Sequence, residues 1–128
     1  MKAVLIMGST SDESHAKKIT NKLDDFGIAW EQYAASAHKQ PLKVLEILET
    51  KKKEKDIVYI TIAGRSNALS GFVAANSEFP TLACPPFVNK TDMLVNIHST
   101  LQMPSNVPVL TIIDPENCAM AVKRIFGV

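Results

Sequence analysis

Short apolar runs recur along this chain, each followed by a stretch with helical spacing, and that alternation limits the fold more than any other feature. Ala3 to Met7 is a continuous apolar run, as expected of a strand covered on both faces. Residues 12–26 place Ile19, Leu23 and Phe26 on one helical stripe, with Gly27 as the stop. Ile28 to Ala34 reads as a second strand. Residues 41–54 read as a helix with Val44, Leu45, Ile47 and Leu48 on its apolar side. The run KKKEK at 51–55 reads as a solvated, cation-rich last turn that suits the helix dipole. Ile57 to Ala63 is a third strand and 67–77 a short helix. Thr81 to Cys84 is a fourth strand, ended by Pro85-Pro86. Residues 91–102 form a further helix, and Val107 to Ile113 a fifth strand. Asp114 and Pro115 open the last helix as N-cap and first-turn proline, with Cys118, Val122, Ile125 and Phe126 on its buried side.

Five strands alternating with helices predict an α/β fold with a parallel sheet and helices on both faces. Right-handed crossovers make this a three-layer, doubly wound sheet. The flavodoxin-like order 2-1-3-4-5 is expected, which puts a ligand crevice at the carboxyl ends of strands one and three. The 128 residues fit a single domain, 1–128, able to bury roughly two-thirds of its unfolded surface. A net charge of +1 argues against broad binding to nucleic acid or anionic membrane. The six-residue apolar start is too short for a signal peptide or a spanning helix, so a cytoplasmic protein is expected. Cys84 and Cys118 read as small buried thiols, far apart in sequence, that imply neither a disulfide framework nor a zinc site.

Three polar loops should meet at the crevice. They are Gly8-Ser9-Thr10-Ser11-Asp12, then Ser36-Ala37-His38-Lys39, then Gly64-Arg65-Ser66-Asn67. The first resembles a phosphate cradle, with a glycine for close approach, hydroxyl donors and a helix N-terminus behind it. It is neither a Walker loop nor a dinucleotide fingerprint, and Ser11 or Asp12 can equally cap the helix. His38 is the one strong acid–base candidate, and a hydrogen-bonded structural histidine is the competing reading. Lys39 is either a phosphate contact or a solvated side chain. Ser66 lacks a nucleophile elbow, which argues against a hydrolase. His15 is expected to be exposed, and His98 structural.

In these loops the chain resembles the phosphoribosylaminoimidazole carboxylase family. MGSTSD, SAHK and AGRSNALSGFVAAN match in order, and LQMPSNVPV also fits. The resemblance runs from Met1 to Phe126. It implies reversible carboxylation of 5-aminoimidazole ribonucleotide (AIR) to its 4-carboxy product (CAIR) in purine biosynthesis. Within the family, SAHK and AGRSN resemble the branch that uses carbon dioxide directly. The stretch at Gln102-Met103-Pro104 is closer to the mutase branch, which moves a carboxyl from the exocyclic nitrogen. Position by position, the resemblance implies that Ser9 and Asp12 hold ribose and phosphate, and that Ser36 and Lys39 hold phosphate. It implies that His38 transfers the proton at carbon 4, and that Gly64, Ser66 and Asn67 line a carbon dioxide pocket. No ATP, biotin or metal is expected, because an electron-rich aminoimidazole can attack carbon dioxide unaided once the two are oriented. A homo-octamer is implied, and the resemblance also implies that a single catalytic domain ending at Val128 lacks the further C-terminal helix usual in the family. A mutase on the same site and a non-catalytic nucleotide-binding module are the alternatives.

Overall fold

The computed structural model describes residues 1–128. It contains β1 (Lys2–Met7), α1 (Glu13–Asp25), β2 (Ala29–Ala34), α2 (Pro41–Lys51), β3 (Ile57–Ile62) and α3 (Leu69–Ala75). These are followed by β4 (Thr81–Ala83), α4 (Lys90–Asn96), α5 (His98–Leu101), β5 (Leu110–Thr111) and α6 (Pro115–Phe126). The sheet order is β2-β1-β3-β4-β5 and every pairing is parallel, which is the doubly wound, flavodoxin-like arrangement.

Strand periodicity explains the two cores. Ala3, Leu5 and Met7 point to one face and join Val58, Ile60 and Ile62 beneath α1 and α6. Val4 and Ile6 point to the other face and join Ile57 and Tyr59 beneath α2 and α3. β1 and β3 are therefore apolar along nearly their whole length, because helices cover both faces. β2 lies at the edge and is largely exposed, including Trp30, whose indole N–H donates to Asp24 Oδ1 at 2.8 Å.

Several boundaries differ from the sequence reading for local reasons. The helix expected over 91–102 divides at Ile97. Ser99 Oγ donates to the Asn96 carbonyl at 3.1 Å, so a side chain competes with the backbone ladder where the helix breaks. The expected strand 107–113 shrinks to Leu110 and Thr111, since Pro108 brings no N–H and the preceding turn needs Asn106 at φ 66°. Leu45 and Ile125 are exposed rather than buried, each at the margin of its helix's apolar stripe. In the KKKEK run, Lys51 is not solvated. It is buried against Glu31 and Glu54, while Lys2 bonds the same two carboxylates at 2.7 and 2.8 Å. No helix is long and apolar enough to cross a membrane.

Candidate active site

The parallel sheet aims the carboxyl ends of β1, β2 and β3 at one edge, and the three polar loops converge there around a cavity of about 420 Å³. Gly8, Ser9, Ser11 and Asp12 form one wall, Ser36, Ala37 and His38 a second, and Gly64, Arg65 and Ser66 a third. Pro86 and Asp92 close the remaining side.

The first wall is built as a tight turn. Gly8 N–H extends the sheet ladder to the Ile62 carbonyl at 3.0 Å. Ser9 then leaves the strand with extended backbone, and its Oγ accepts the Ser11 N–H at 3.2 Å. Ser9, not Ser11 or Asp12, is therefore the cap, and it caps a short 3-10 turn over Thr10–Asp12. Asp12 makes no capping bond, which leaves its carboxylate free to face the cavity. Burial pushes that carboxyl above its ordinary range, partly offset by the charge of nearby His15.

The second wall is a turn closed by the Ser36 side chain. Ser36 Oγ accepts the Lys39 N–H at 3.2 Å, and the Gln40 N–H reaches the Ser36 carbonyl at 2.8 Å. His38 stands on this turn, exposed and on the cavity wall. That is not the setting of a buried structural histidine. Lys39 is exposed and does not line the cavity, so its expected place beside the phosphate is not formed within this chain.

The third wall follows β3. Gly64 packs against the Pro86 carbonyl, and Ser66 adopts φ 46°, which turns the chain sharply before α3. Arg65 is exposed, and the ion pairs formed by basic side chains involve Lys2, Lys22, Lys51 and Lys52 only. Its guanidinium is thus uncommitted at the cavity. Asn67, expected on the pocket wall, is instead turned inward with 5% exposure. Its side chain is fully occupied by bonds to Ser70, Leu69 and Thr100, so it does not line the cavity.

Two cavity residues escaped the sequence reading. Asp92 sits in the first turn of α4, where its oxygens accept from Val88 N–H at 3.0 Å and Asn96 Nδ2 at 2.6 Å. The signal for it was Asn89 three residues earlier, an N-cap whose side chain accepts the Asp92 N–H at 2.8 Å. Pro86 follows β4 at the same sheet edge, where its carbonyl packs against Gly64, a contact the sequence does not signal. His15 is half-buried, not exposed. Its Nε2 lies 3.0 Å from the Cys84 carbonyl oxygen and 3.5 Å from Cys84 Sγ. Cys84 and Cys118, remote in sequence, are free thiols in the same core. His98 is exposed. No three His, Cys, Asp or Glu side chains are grouped as a metal would need.

A family model described as AIR carboxylase matches residues 2–128. The chain belongs to the AIR carboxylase family. It is 52% identical over 127 residues to a protein of Archaeoglobus fulgidus named phosphoribosylaminoimidazole carboxylase, covering 99% of this chain and 69% of that one. It is 35% identical over 127 residues to the human bifunctional phosphoribosylaminoimidazole carboxylase/phosphoribosylaminoimidazole succinocarboxamide synthetase, where the match covers 98% of this chain and 30% of the relative. A crystal structure of Treponema denticola PurE superposes with a TM-score of 0.94 at 40% identity, over 98% of this chain and 80% of that one. The fold described above is thus shared with that structure over nearly the whole of this chain.

Proposed function

We propose that this member of the AIR carboxylase family joins carbon dioxide to carbon 4 of 5-aminoimidazole ribonucleotide, and runs the reverse decarboxylation, in purine biosynthesis. The observation that carries the reading is His38 lining the same cavity as the Ser9–Asp12 turn and Arg65. The turn supplies hydroxyls and a carboxylate for a ribose phosphate, and Ser36 adds a further hydroxyl. The enamine-like ring carbon attacks carbon dioxide, and the new carbon–carbon bond leaves a proton on carbon 4. His38 accepts that proton and returns it in the decarboxylation direction, the part of a general acid–base. The reaction read this way uses no ATP, biotin or metal.

Arg65 and Ser66 favour direct use of carbon dioxide over the mutase reaction. They bring hydrogen-bond donors to the third wall, where a carboxylate forms. Supplying AIR with bicarbonate, and separately the nitrogen-carboxylated isomer, tests this by ultraviolet absorbance. Turnover of AIR that rises with bicarbonate is expected. Efficient conversion of the isomer with no response to bicarbonate would make the protein a mutase, and no turnover of either would leave a nucleotide-binding module.

The protein is further proposed to be a homo-oligomer, with the octamer as the implied state. The small-residue helix Ala68 to Asn76, followed by Phe79-Pro80 and Pro85-Pro86-Phe87, is the associating surface expected from the sequence. Within one chain α3 packs against the sheet with Gly71 under Met103, and Pro85 is buried, whereas Phe79, Pro86 and Phe87 are half-buried and Pro80 is exposed. Further unpartnered apolar surface lies on α4 and α5, where Leu94, Val95 and Leu101 are 57–66% exposed. Light scattering at micromolar concentration should give a multiple of the 14.0 kDa chain mass, and a monomeric mass would contradict this.

A further inference from the structure

We propose that Asn67 is a positioning residue for the reaction, holding the curvature of the Gly64–Ser66 wall through a clasp onto α5. This rests on the reading of the cavity given above. The clasp uses both polar atoms of the Asn67 side chain and its backbone N–H. Oδ1 accepts the N–H groups of Leu69 and Ser70 at 3.0 and 3.2 Å, which starts α3. Nδ2 donates to Ser70 Oγ at 2.6 Å and to Thr100 Oγ1 at 3.0 Å. The Asn67 backbone N–H donates to Ser99 Oγ at 2.8 Å. Thr100 is 1% exposed and lies outside the cavity, so its hydroxyl meets the chain and not the ligand.

The position in the fold gives the clasp its consequence. Ser66, the residue before Asn67, holds φ 46°, a backbone state a non-glycine residue keeps only when its surroundings fix it. On the other side, Gly64 abuts the Pro86 carbonyl. The three-residue wall is thus anchored at one end by Pro86 and at the other by Asn67, with Arg65 and Ser66 displayed between. Releasing the Asn67 end lets Ser66 relax out of the left-handed region. Its hydroxyl and the neighbouring donors then lose their aim at the developing carboxylate. Nucleotide contacts on the first two walls are untouched, so the loss falls on the chemical step. A misplacement of about 1 Å is enough to cost about 100-fold in rate.

The test compares Thr100→Val, Thr100→Ser and Asn67→Ser with the unaltered protein, measuring kcat, nucleotide affinity and Tm. Thr100→Val keeps the volume and removes the acceptor, whereas Thr100→Ser keeps the hydroxyl. The expected result is a kcat about 10- to 100-fold lower for Thr100→Val and Asn67→Ser. Nucleotide affinity should stay within about twofold, and Thr100→Ser should retain most of kcat. Variants that melt lower but keep full kcat below their Tm would show a purely structural clasp and overturn the proposal. Loss of kcat and nucleotide affinity in equal measure would overturn it as well. Should Thr100→Val fail to fold, Ser99→Ala, which frees the Asn67 N–H, is read in the same way. An unaltered protein inactive on AIR and bicarbonate would instead refute the reaction assigned above.

Discussion

Gly64 and Pro86 approach so closely that a Cβ on Gly64 would lie 2.4 Å from the Pro86 carbonyl oxygen. The obstruction is backbone, not the end of a flexible side chain, so a side chain at 64 forces one wall of the cavity to move. Gly64→Ala is expected to destabilise the protein by about 1–3 kcal/mol, the usual cost of overpacking. Turnover should fall further than stability alone explains, because the third wall is displaced. Urea unfolding and steady-state kinetics on one preparation check this, and unchanged values for both would refute the close packing.

Asp12 should show a conflict between stability and function. Burial raises its carboxyl above the unfolded value, so the native state prefers the protonated form. Its contribution is therefore most favourable at low pH and declines as pH rises through the folded value. Asp12→Asn removes that penalty and should be at least as stable as the unaltered protein at pH 7, while binding the ribonucleotide much more weakly. Urea midpoints and calorimetric titration separate the two effects. A clear loss of stability would show that the carboxylate supports the fold.

Glu31 has the opposite sign. Hydrogen bonds from Lys2 Nζ, then Lys51 and Tyr33, draw its carboxyl from 4.5 to about 2. The ionised form favours the native state, so the stabilisation is complete above about pH 4.5 and is lost as pH falls toward about 2. Glu31→Gln should be less stable than the unaltered protein at pH 7, with the gap closing over that window. A gap that stays constant down to about pH 2 would mean that the ion cluster does not control acid unfolding.

The fold was legible because β1 and β3 are covered on both faces and read as unbroken apolar runs, while Gly27 and Asp114-Pro115 mark helix boundaries. The break at Ile97 was not legible. It accompanies Ser99, whose hydroxyl both donates to Asn96 and accepts from Asn67, a partner 32 residues away. For the same reason Asn67 was misread. A polar residue in a loop looks identical in sequence whether it faces a ligand or satisfies buried hydroxyls. Lys51 differs from its neighbours in KKKEK by pairing with Glu31 on β2 as well as with Glu54 inside the run, and the local charge pattern carries no trace of Glu31. His38 and the Ser9–Asp12 turn were legible because a parallel sheet brings the carboxyl ends of adjacent strands together.

The most direct measurement is turnover of AIR with bicarbonate by His38→Asn, beside nucleotide affinity from calorimetry. His38 stands exposed on the wall of the cavity, and the account gives it proton transfer at carbon 4 rather than binding. The predicted result is a rate lower by about 10²–10⁴ with affinity for the ribonucleotide largely unchanged. A variant that keeps more than about half of its turnover, far outside the loss expected for a general acid–base, would remove His38 from the chemistry and contradict the account.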